Sequence, residues 1–550
     1  MDILTDVERI KTIPIGAAAG GIAGLYFCYI LCTCFYNVYL HPLRRIPGSK
    51  LAVMGPYLEF YHEVIRGGQY LWEIEKMHEK YGKKLTIPFC PVVKKSDSNF
   101  LLNNEGPIVR VNAREIHIKD SSYYHTIYAA GSRKTNKDAA TVGAFDVPSS
   151  TAATVDHDKH RARRGYLNPY FSKRSLASLE PTIHERITKL CSRMEQHMND
   201  GDVLTLDGIF SALTADVICS RFYGKHFDYL SVPDYHFVVR DGFQGLTKLY
   251  HLGRFIPSIA TTLKHLPEKV VRMFMPSLAD LMVMRDEIHA NGVAQFTSSK
   301  TADSKASALV GALADHNIPP HERTVARLLD EGTVFLFAGT ETTSRTMAVT
   351  MFYLLSNPDC LKKLRDELDT LPATENFQHS LTTLESLPYL SGVVHEGLRL
   401  AFGPITRSAR VPMNTDLQYK DYTIPAGTPL SQSTYFVHTD KELYPEPEKF
   451  KPERWIKAAQ EGVPLKKFLT NFSQGSRQCI GINMSFAEMY LAISRVARGF
   501  DMELYETTAA DLDMTYARIV AYPKEIPGKT EGLGEIRVKV LKKNDPNLEK

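Results

Sequence analysis

One cysteine stands in a frame of glycines between residues 472 and 481, in the sequence Phe-Ser-Gln-Gly-Ser-Arg-Gln-Cys-Ile-Gly. Gly475 precedes Cys479 by four positions, and Gly481 follows it by two. Glycines at these places would let the backbone turn tightly and lie flat against a large planar ligand. The stretch is therefore predicted to be a loop that presents one sulfur. The alternative for a lone cysteine is a buried structural role.

Two flanking side chains and a following helix favour a sulfur that faces a ligand. Phe472 offers a ring to cover the sulfur, and Arg477 places a cation beside any negative charge that the ligand carries. An amphipathic helical pattern begins at Asn483. Cys479 is therefore expected at or just before a helix N-terminus, where the helix dipole stabilises a thiolate.

A second polar group lies upstream, inside a long helical pattern from Arg323 to Leu355 that is otherwise apolar. It contains the sequence Ala-Gly-Thr-Glu-Thr-Thr, from residue 338 to residue 343. A glycine beside polar residues is expected to weaken the hydrogen-bond ladder of a buried helix and to leave a pocket for a small molecule and water. Glu341 can relay protons there, and Thr342 can hydrogen-bond a distal oxygen. The alternative is a helix end with a polar face.

A charged pair and a second arginine follow. Glu396 and Arg399 lie one turn apart in a predicted helix from Leu384 to Leu400. Such a pair alone is usually a surface ion pair worth a few tenths of a kcal/mol. Arg454 follows downstream, in the sequence Phe-Lys-Pro-Glu-Arg-Trp.

Four motifs are now in place: the Gly-Thr-Glu-Thr helix, the Glu-x-x-Arg pair, the Pro-x-Arg-Trp segment and the cysteine loop. They resemble the motifs of the cytochrome P450 superfamily in order and spacing, and the resemblance covers about residues 37 to 540. It implies a mainly α fold with small β-sheets (α+β), preceded by one transmembrane helix. Cys479 would be the axial thiolate ligand of a heme b iron, the arrangement that favours O–O cleavage. Glu341 and Thr342 would be the catalytic residues on the oxygen side.

The resemblance also implies a buried network of Glu396, Arg399 and Arg454 behind the cysteine loop. Removing one partner from such a network leaves a charge buried and unpaired.

The heme propionates would face cations. The family's usual Trp-x-x-x-Arg appears here as His160-x-x-x-Arg164, with an imidazole that can still donate a hydrogen bond. Arg407 and Arg477 are the other cations expected at the propionates. Phe472 and Gly475 complete the predicted cofactor-binding set.

Composition excludes some other functions. The 550 residues carry a net charge of +4 and no basic run with interleaved aromatics, so nucleic acid is not an expected partner. Three of the eight cysteines lie in one apolar segment and the others are far apart, which indicates neither a disulfide framework nor a zinc site. A reducing compartment fits this pattern.

The N-terminus is predicted to be a membrane anchor. No charged residue occurs from Thr12 to Leu43, and about 20 apolar residues span a bilayer. A cleaved signal peptide, the alternative, would begin with basic residues, whereas this chain begins with acidic ones. The expected division is a lumenal segment at 1–12, an anchor at 13–36 and a catalytic domain at 37–550. Arg44 and Arg45 favour a cytosolic catalytic domain on a single-pass endoplasmic reticulum protein.

A segment without hydrophobic periodicity, Lys83 to Gly106, separates Glu-Lys-Tyr-Gly from Pro-Ile-Val-Arg-Val. Joined directly, these two pieces would resemble the family's helix-to-strand junction. One hypothesis is that the segment is a translated intron, since its ends permit splice-site codons that would restore the frame. The alternative is a genuine surface insertion. In either case a protruding loop is expected, and abundant active product from transcripts that retain the segment would contradict the intron hypothesis.

The resemblance further implies electrons from NADPH through a membrane-bound reductase, with O2, a hydrophobic small molecule and membrane lipid as the other partners. Cations available for docking the reductase are Arg161, Arg163, Lys466 and Lys467. The expected cavity walls are 138–155, 240–260, 334–340, 402–408 and 514–522, which contain few charges. The sequences of several segments are similar to those of fungal secondary-metabolism members of the family, including trichodiene-oxygenase-like ones. A terpenoid or polyketide substrate is therefore expected by analogy.

Two other functions stay open at this point. A heme-thiolate isomerase or dehydratase would need no O2, although Glu341 and Thr342 argue against it. A non-enzymatic heme carrier or gas sensor would lack the carbon-monoxide spectrum of thiolate ligation.

Overall fold

A computed structural model describes most of the chain. The described residues are 15–81, 107–129, 133–145, 147–233, 235, 238–298, 307–524 and 534–544.

The first described element is helix α1, Ile15–Phe35, which continues as a π-helical turn over Tyr36–Leu40. The stretch Ala19–Leu40 is long and apolar enough to cross a membrane, and its most apolar 18-residue window is not buried inside the protein, although Asn37 near its end is. Large apolar side chains such as Leu25 point outward. These observations agree with the predicted anchor, whereas the predicted lumenal residues lie outside the described part of the chain.

Most of the described catalytic domain is helical. Its longer helices are α2 Tyr70–Tyr81, α3 His157–Leu167, α4 Glu180–Asp200, α5 Leu206–Tyr223, α6 Val238–Phe255, α7 Pro276–Ser298, α8 Val325–Ser356, α9 Pro358–Leu368, α10 Pro388–Ala401, α11 Glu453–Gln460 and α12 Ile482–Gly499. Shorter helices are Lys50–Met54, Tyr57–Phe60, Tyr124–Ile127, Ala139–Val142, Lys173–Ala177, Ser258–His265, Glu268–Phe274, Ala308–Ala314, Leu381–Glu385 and Thr434–His438.

Helix α8 is the central element of the main core. It begins where the Thr324 side chain caps it by accepting from the Arg327 N–H, and it ends before the Asn357-Pro358 pair. Helices α5, α10 and α12 pack around it. This packing buries the apolar side chains of four helices and places α8 beside the cysteine loop, which precedes α12.

The sheets are small and lie beside the helices. The largest has the order β1-β2-β8-β5-β3, formed by Ile108–Arg110, Ile116–Ile118, Leu430–Ser431, Arg410–Pro412 and Thr135–Lys137. A second sheet has the order β4-β12-β9, formed by Val203–Thr205, Arg537–Lys543 and Phe500–Leu504. Two hairpins pair β6 Leu417–Tyr419 with β7 Tyr422–Ile424, and β10 Tyr516–Arg518 with β11 Val520–Tyr522.

The predicted insertion at 83–106 lies outside the described residues. On either side of it the structure agrees with the sequence, because α2 ends at Tyr81 and β1 begins at Ile108. The insertion's shape and origin therefore stay predictions.

Candidate active site

A cavity of about 390 Å³ brings the predicted chemical groups together. Cys479 and Thr342 both line it, although they come from different elements. Helix α3 contributes Arg164, and strand β5 contributes Arg410, its first residue. The walls are mainly apolar, with side chains such as Phe335. One cavity therefore joins the cysteine loop to the polar segment of α8.

The cysteine loop turns back on itself before α12. The Cys479 N–H donates to the Phe472 carbonyl oxygen at 2.8 Å, which closes the loop. The Cys479 side chain is accessible from the cavity that it faces, although protein surrounds its sulfur. Burial raises the pKa of its thiol, while the N–H groups of Gly481 and Ile482 and the charge of Arg164 oppose that rise. These two N–H groups are at the start of α12, so the predicted place of the sulfur at a helix N-terminus is confirmed.

Phe472 and Gly475 differ in what they contact. Phe472 lines the cavity, and its ring centroid lies 5.4 Å from that of Phe486. Gly475 has a φ of +75°, and a Cβ there would lie 2.2 Å from the Ala129 carbonyl oxygen. It does not line the cavity. This glycine is needed for a positive φ and for close contact with the neighbouring backbone. Its role in cofactor binding stays a prediction.

Four cations line the cavity: Lys137, Arg164, Arg410 and Arg477. Burial lowers the pKa of each, to about 7 for Lys137 and about 10 for Arg477. Repulsion from Arg410 adds to the lowering for both Lys137 and Arg477. None of the four forms an ion pair with an acidic residue in the described part of the chain.

Buried positive charges without partners are costly unless an anion joins them. These four cations hydrogen-bond carbonyl and hydroxyl oxygens instead: Arg477 donates to the carbonyls of Thr154 and Val155, and Arg164 donates to that of Gln478. A planar ligand with two carboxylates would supply the missing negative charge. The residues present therefore fit a heme: Cys479 would bind its iron, and the cations would neutralise its propionates.

Arg407 is the exception among the predicted propionate ligands. Its Nε donates to Glu115 Oε1 at 2.9 Å, and its Nη2 donates to Glu59. The same cluster contains Glu63 and Arg254, and burial raises the pKa of Glu63 to about 7. Arg407 does not line the cavity. The Arg407 side chain is neutralised by glutamates, and Arg410 is the cation of this segment that lines the cavity. The propionate role of Arg407 stays a prediction that these contacts do not favour.

His160 lines the cavity as predicted and is almost fully buried. Burial lowers its pKa to about 3, and the neighbouring charges of Arg477 and Lys137 lower it further. Its Nδ1 has no hydrogen-bond partner among the described residues. A neutral imidazole with an unpaired nitrogen agrees with the expected hydrogen-bonding role toward a carboxylate.

On α8, the predicted oxygen-side residues separate into two environments. Thr342 lines the cavity, and its Oγ1 donates to the Ala338 carbonyl at 2.7 Å. Glu341 is buried and does not line the cavity. The next residue, Thr343, also lines it and hydrogen-bonds Ser485 of α12 at 3.0 Å. The catalytic roles of Glu341 and Thr342 stay predictions.

Gly339 has a packing role that the sequence did not reveal. Helix α8 is continuous through this residue, so the predicted local weakening does not interrupt it. A Cβ on Gly339 would lie 2.4 Å from Ile218 Cδ1. Helix α5 therefore approaches α8 closely where the two line the cavity, and a larger residue at 339 would have to displace the end of the Ile218 side chain.

The predicted Glu396 network is present, with Glu396 and Arg399 fully buried and Arg454 partly exposed. Arg399 makes two bonds to the Glu396 carboxylate, at 2.9 and 2.8 Å, and Arg454 Nε makes one at 3.0 Å. The Trp455 indole N–H and the Lys451 backbone N–H donate to the same carboxylate. All the acceptor positions of the carboxylate are therefore engaged.

His438 joins this network to the cysteine loop. Its Nδ1 lies 3.0 Å from the Arg399 carbonyl oxygen, and its Nε2 accepts from the Thr470 N–H at 3.0 Å. Because Nε2 is an acceptor, Nδ1 carries the proton. Burial and then the charge of Arg399 lower the pKa of His438 to about 3. Sequence reasoning did not identify this residue, since a single histidine in a short helix shows no pattern.

Some other expectations need correction. Arg163 is buried and pairs with Glu322 at 2.9 Å, so it is not an available docking cation, whereas Arg161, Lys466 and Lys467 are exposed. Neither the expected wall at 514–522 nor the described residues of the expected wall at 240–260 line this cavity. The segments at 138–155, 334–340 and 402–408 do contribute to it.

A cysteine sulfur at a helix N-terminus, a neighbouring threonine across an apolar cavity and buried unpaired cations define a heme-thiolate enzyme. The cytochrome P450 family model matches residues 103–526. Cytochrome P450 monooxygenase SAT11 of Stachybotrys chartarum is 80% identical to this chain over 100% of both chains. Cytochrome P450 monooxygenase TRI4 of Trichoderma arundinaceum is 66% identical to this chain, over 98% of this chain and 100% of the relative. Cytochrome P450 monooxygenase TRI4 of Fusarium sporotrichioides is also 66% identical to this chain, over 98% of each. The chain therefore belongs to the cytochrome P450 family and is a monooxygenase, and its predicted similarity to fungal secondary-metabolism members is confirmed.

Proposed function

We propose that this monooxygenase inserts one oxygen atom from O2 into a neutral, apolar terpenoid or polyketide. The observation that carries the proposal is that Cys479 and Thr342 line one apolar cavity beside four cations without acidic partners. The overall reaction consumes the substrate, O2, two electrons and two protons, and it yields the oxygenated substrate and water.

A bound heme supplies the activation of O2 and the transfer of its oxygen atom to the substrate. The chain's own residues hold and orient that group. The Cys479 thiolate would hold the heme iron. Lys137, Arg164, Arg410 and Arg477 would neutralise the propionates, and His160 would donate a hydrogen bond to one of them.

On the opposite side, the Thr342 hydroxyl orients a small molecule or water in the cavity. Its proton is donated to the Ala338 carbonyl, so its oxygen can accept a hydrogen bond from a cavity water. Glu341 holds the proton that reaches this site through water. The two residues thus divide orientation and proton supply between them.

The walls of the cavity favour an apolar substrate. Aromatic and aliphatic side chains form much of its lining, including Phe171, Phe222, Phe335, Leu167 and Ile218. A charged substrate would lose hydration there without gaining a partner. The name conidiogenone synthase belongs to a Penicillium rubens relative that is 38% identical over 92% of this chain. This name supports a carbon-rich small molecule as the class of substrate.

The proposed cellular setting follows from α1 and the exposed cations. Helix α1 would anchor the enzyme in the endoplasmic reticulum membrane with its catalytic domain in the cytosol. Arg161, Lys466 and Lys467 are exposed and would attract an acidic surface of an NADPH-dependent reductase. NADPH therefore acts through that reductase.

The test compares metabolites of a strain with and without the gene and then assays the purified enzyme. Loss of an oxygenated metabolite is expected, with accumulation of a less oxygenated precursor. The precursor should be converted only with reductase, NADPH and O2. Conversion without NADPH would instead establish an isomerase or dehydratase.

A matched pair of variants on α8 tests the oxygen side. Thr342→Ala should lower product formed per NADPH consumed by about a hundredfold, since an acid–base relay contributes that much. Thr350→Val is the control, because Thr350 lies on the same helix but does not line the cavity. Equal product yields from both variants would contradict the role of Thr342.

A further inference from the structure

A loop that contains neither helix nor strand, residues 147–155, forms part of the wall of the cavity of Cys479. Thr151 and Ala152 are its residues that line the cavity. The side chains of Ser150, Thr151 and Thr154 are polar and buried. Buried polar groups of a loop need hydrogen-bond partners from the surrounding protein. The partners of loop 147–155 therefore show what holds this wall in place.

Two consecutive carboxylates of α8 hold one side of the loop. The Thr151 N–H donates to Glu331 Oε1 at 2.8 Å, and the Thr151 hydroxyl donates to the same oxygen. The Ser149 N–H donates to Asp330 Oδ2 at 2.7 Å. Hydrogen bonds to an ionised group are stronger than those between neutral groups. The loop is therefore fixed to α8 mainly through its backbone N–H groups.

A chain of alternating charges compensates the buried Glu331 carboxylate. Arg327 lies one turn earlier on α8, and its Nη2 is 3.5 Å from Glu331 Oε1. Arg327 also pairs with Glu322 at 2.8 Å, and Glu322 pairs with Arg163 of α3 at 2.9 Å. Burial raises the pKa of Glu331, while the bonds from Thr151 and the charge of Arg327 oppose that rise. The two acids and the two arginines thus neutralise one another.

This chain of charges returns to the loop through α3. Arg163 Nη1 donates to Thr154 Oγ1 at 2.9 Å, and the Thr154 hydroxyl donates to the Ser150 carbonyl at 2.7 Å. Both ends of the chain therefore hold the same loop, Glu331 at Thr151 and Arg163 at Thr154.

The carbonyl groups of the loop hold two of the four cations that line the cavity. Arg477 Nη1 donates to the Thr154 carbonyl at 2.6 Å, and Arg477 Nη2 donates to the Val155 carbonyl at 2.5 Å. Lys137 Nζ donates to the Ala152 carbonyl. Arg477 Nε is buried and has no hydrogen-bond partner among the described residues. The loop thus sets the directions of both cations and leaves one donor of Arg477 for an anion.

We propose that Glu331 is a positioning residue for the cofactor: it fixes loop 147–155, and the loop directs Arg477 and Lys137 to the cavity, where they would neutralise the heme propionates. Glu331 bonds Thr151 and pairs with Arg327, so its effect on the two cations passes through the loop. The inference rests on the proposed function only in taking a heme as the ligand of these cations.

The test measures the rate at which the heme-loaded full chain, in detergent, loses its heme to excess apomyoglobin. Glu331→Ala should raise this rate by about three- to tenfold, the change expected for weakening one hydrogen bond. In a Lys137→Met/Arg477→Met background it should raise the rate by less than about twofold, because the cations through which Glu331 acts are already absent. An equal rise in both backgrounds would overturn the proposal.

A conservative variant and a second measurement test the step through the loop. Glu331→Gln keeps an oxygen that accepts from the Thr151 N–H, so it should lose heme more slowly than Glu331→Ala. Hydrogen exchange of the peptides that cover 147–155 should be fastest in Glu331→Ala and intermediate in Glu331→Gln. Unchanged exchange in Glu331→Ala would overturn the proposal, even with faster loss of heme. If Glu331→Ala does not fold, Glu331→Gln in the two backgrounds makes the same comparison.

Asp216→Ala is the matched control. The Asp216 carboxylate is also fully buried and accepts from two backbone N–H groups, those of Tyr229 and Leu230, but Asp216 does not line the cavity. This variant should be less stable to heat and should lose heme at the unchanged rate. A rise equal to that of Glu331→Ala would overturn the proposal, since any buried carboxylate would then have this effect. Failure of the proposed function would look different, because the unchanged protein would then show no heme absorbance.

Discussion

His438 Nδ1 donates to the carbonyl oxygen of Arg399 across 3.0 Å, while the other ring nitrogen accepts from the backbone of Thr470. One imidazole therefore connects the Glu396 network to the chain that leads into the cysteine loop. Both bonds are buried, and the ring is fully inaccessible. The position of Cys479 thus depends on a network whose charged members lie elsewhere in the sequence.

Replacing His438 by leucine should disturb this connection. The Thr470 N–H and the Arg399 carbonyl would both lose a partner, at a cost of about 1–3 kcal/mol for each buried group. We expect lower thermal stability and a reduced ratio of heme to protein. His438→Gln, whose amide can both donate and accept, should recover part of the loss. A leucine variant with full heme content and unchanged stability would show that the connection is unimportant.

Glu396→Ala should yield protein without bound heme. The change leaves Arg399 and Arg454 near each other without their shared carboxylate, and breaking such a buried pair costs about 3–5 kcal/mol. The measurement is the heme absorbance of the purified protein. Trp455→Phe is the matched control, because it removes only one neutral donor from the same carboxylate. Correctly incorporated heme in Glu396→Ala would contradict the role given to the network.

Arg407 and Arg410 should respond differently to replacement by leucine. Arg407→Leu removes the cation paired with Glu115 and leaves Glu59 with Arg254 alone, so stability should fall by about 3–5 kcal/mol with or without heme. Arg410→Leu removes a buried charge that has no acidic partner, so heme-free protein should be no less stable, while heme retention should fall. Loss of heme without loss of stability in Arg407→Leu would restore its predicted propionate role.

Acid should destabilise the protein through its buried neutral histidines. The pKa of His438 is about 3 in the folded protein, against an ordinary value of 6.5. The unfolded chain therefore binds the extra proton between these two values, and stability falls as the pH decreases from about 6.5 toward 3. The slope should be about 1.4 kcal/mol per pH unit for this residue. Urea midpoints measured from pH 7 to pH 4 should fall less steeply in His438→Gln, and an identical slope would contradict the low pKa.

The sequence was most informative where several residues make one motif. The cysteine loop, the polar segment of α8 and the Glu396 network each combine unusual residue types at fixed spacings, and the structure brings the first two to one cavity. The resemblance to the family's helix-to-strand junction also agrees with the structure, because α2 ends at Tyr81 and β1 begins at Ile108.

The sequence was least informative where a side chain's direction decides its role. Thr406, Ser408 and Arg410 line the cavity, whereas Arg407 points to the glutamate cluster. Successive side chains of an extended chain alternate between its two faces, so a shift of one residue exchanges these roles. This segment contains two arginines, Arg407 and Arg410, three positions apart. The local sequence does not determine which of them faces the cavity.

Contacts between residues far apart in the chain were the other feature that the sequence did not reveal. Gly475 was expected to approach a ligand, but the backbone of residues 128–129 lies against it. His438 contacts Arg399 and Thr470, which lie 39 and 32 positions away in the chain. Neither contact leaves a periodic pattern in the sequence. Such relationships become visible only when the fold brings the segments together.

The central claim is that Cys479 holds a heme through its thiolate, and the carbon-monoxide difference spectrum of Cys479→Ser tests it most directly. The reduced unchanged protein should show the red-shifted Soret band of thiolate ligation, and Cys360→Ser should show the same band because Cys360 does not line the cavity. Cys479→Ser should retain less heme, lose that band and form no oxygenated product. A serine variant that keeps the band, or that still oxygenates its substrate, would contradict the account.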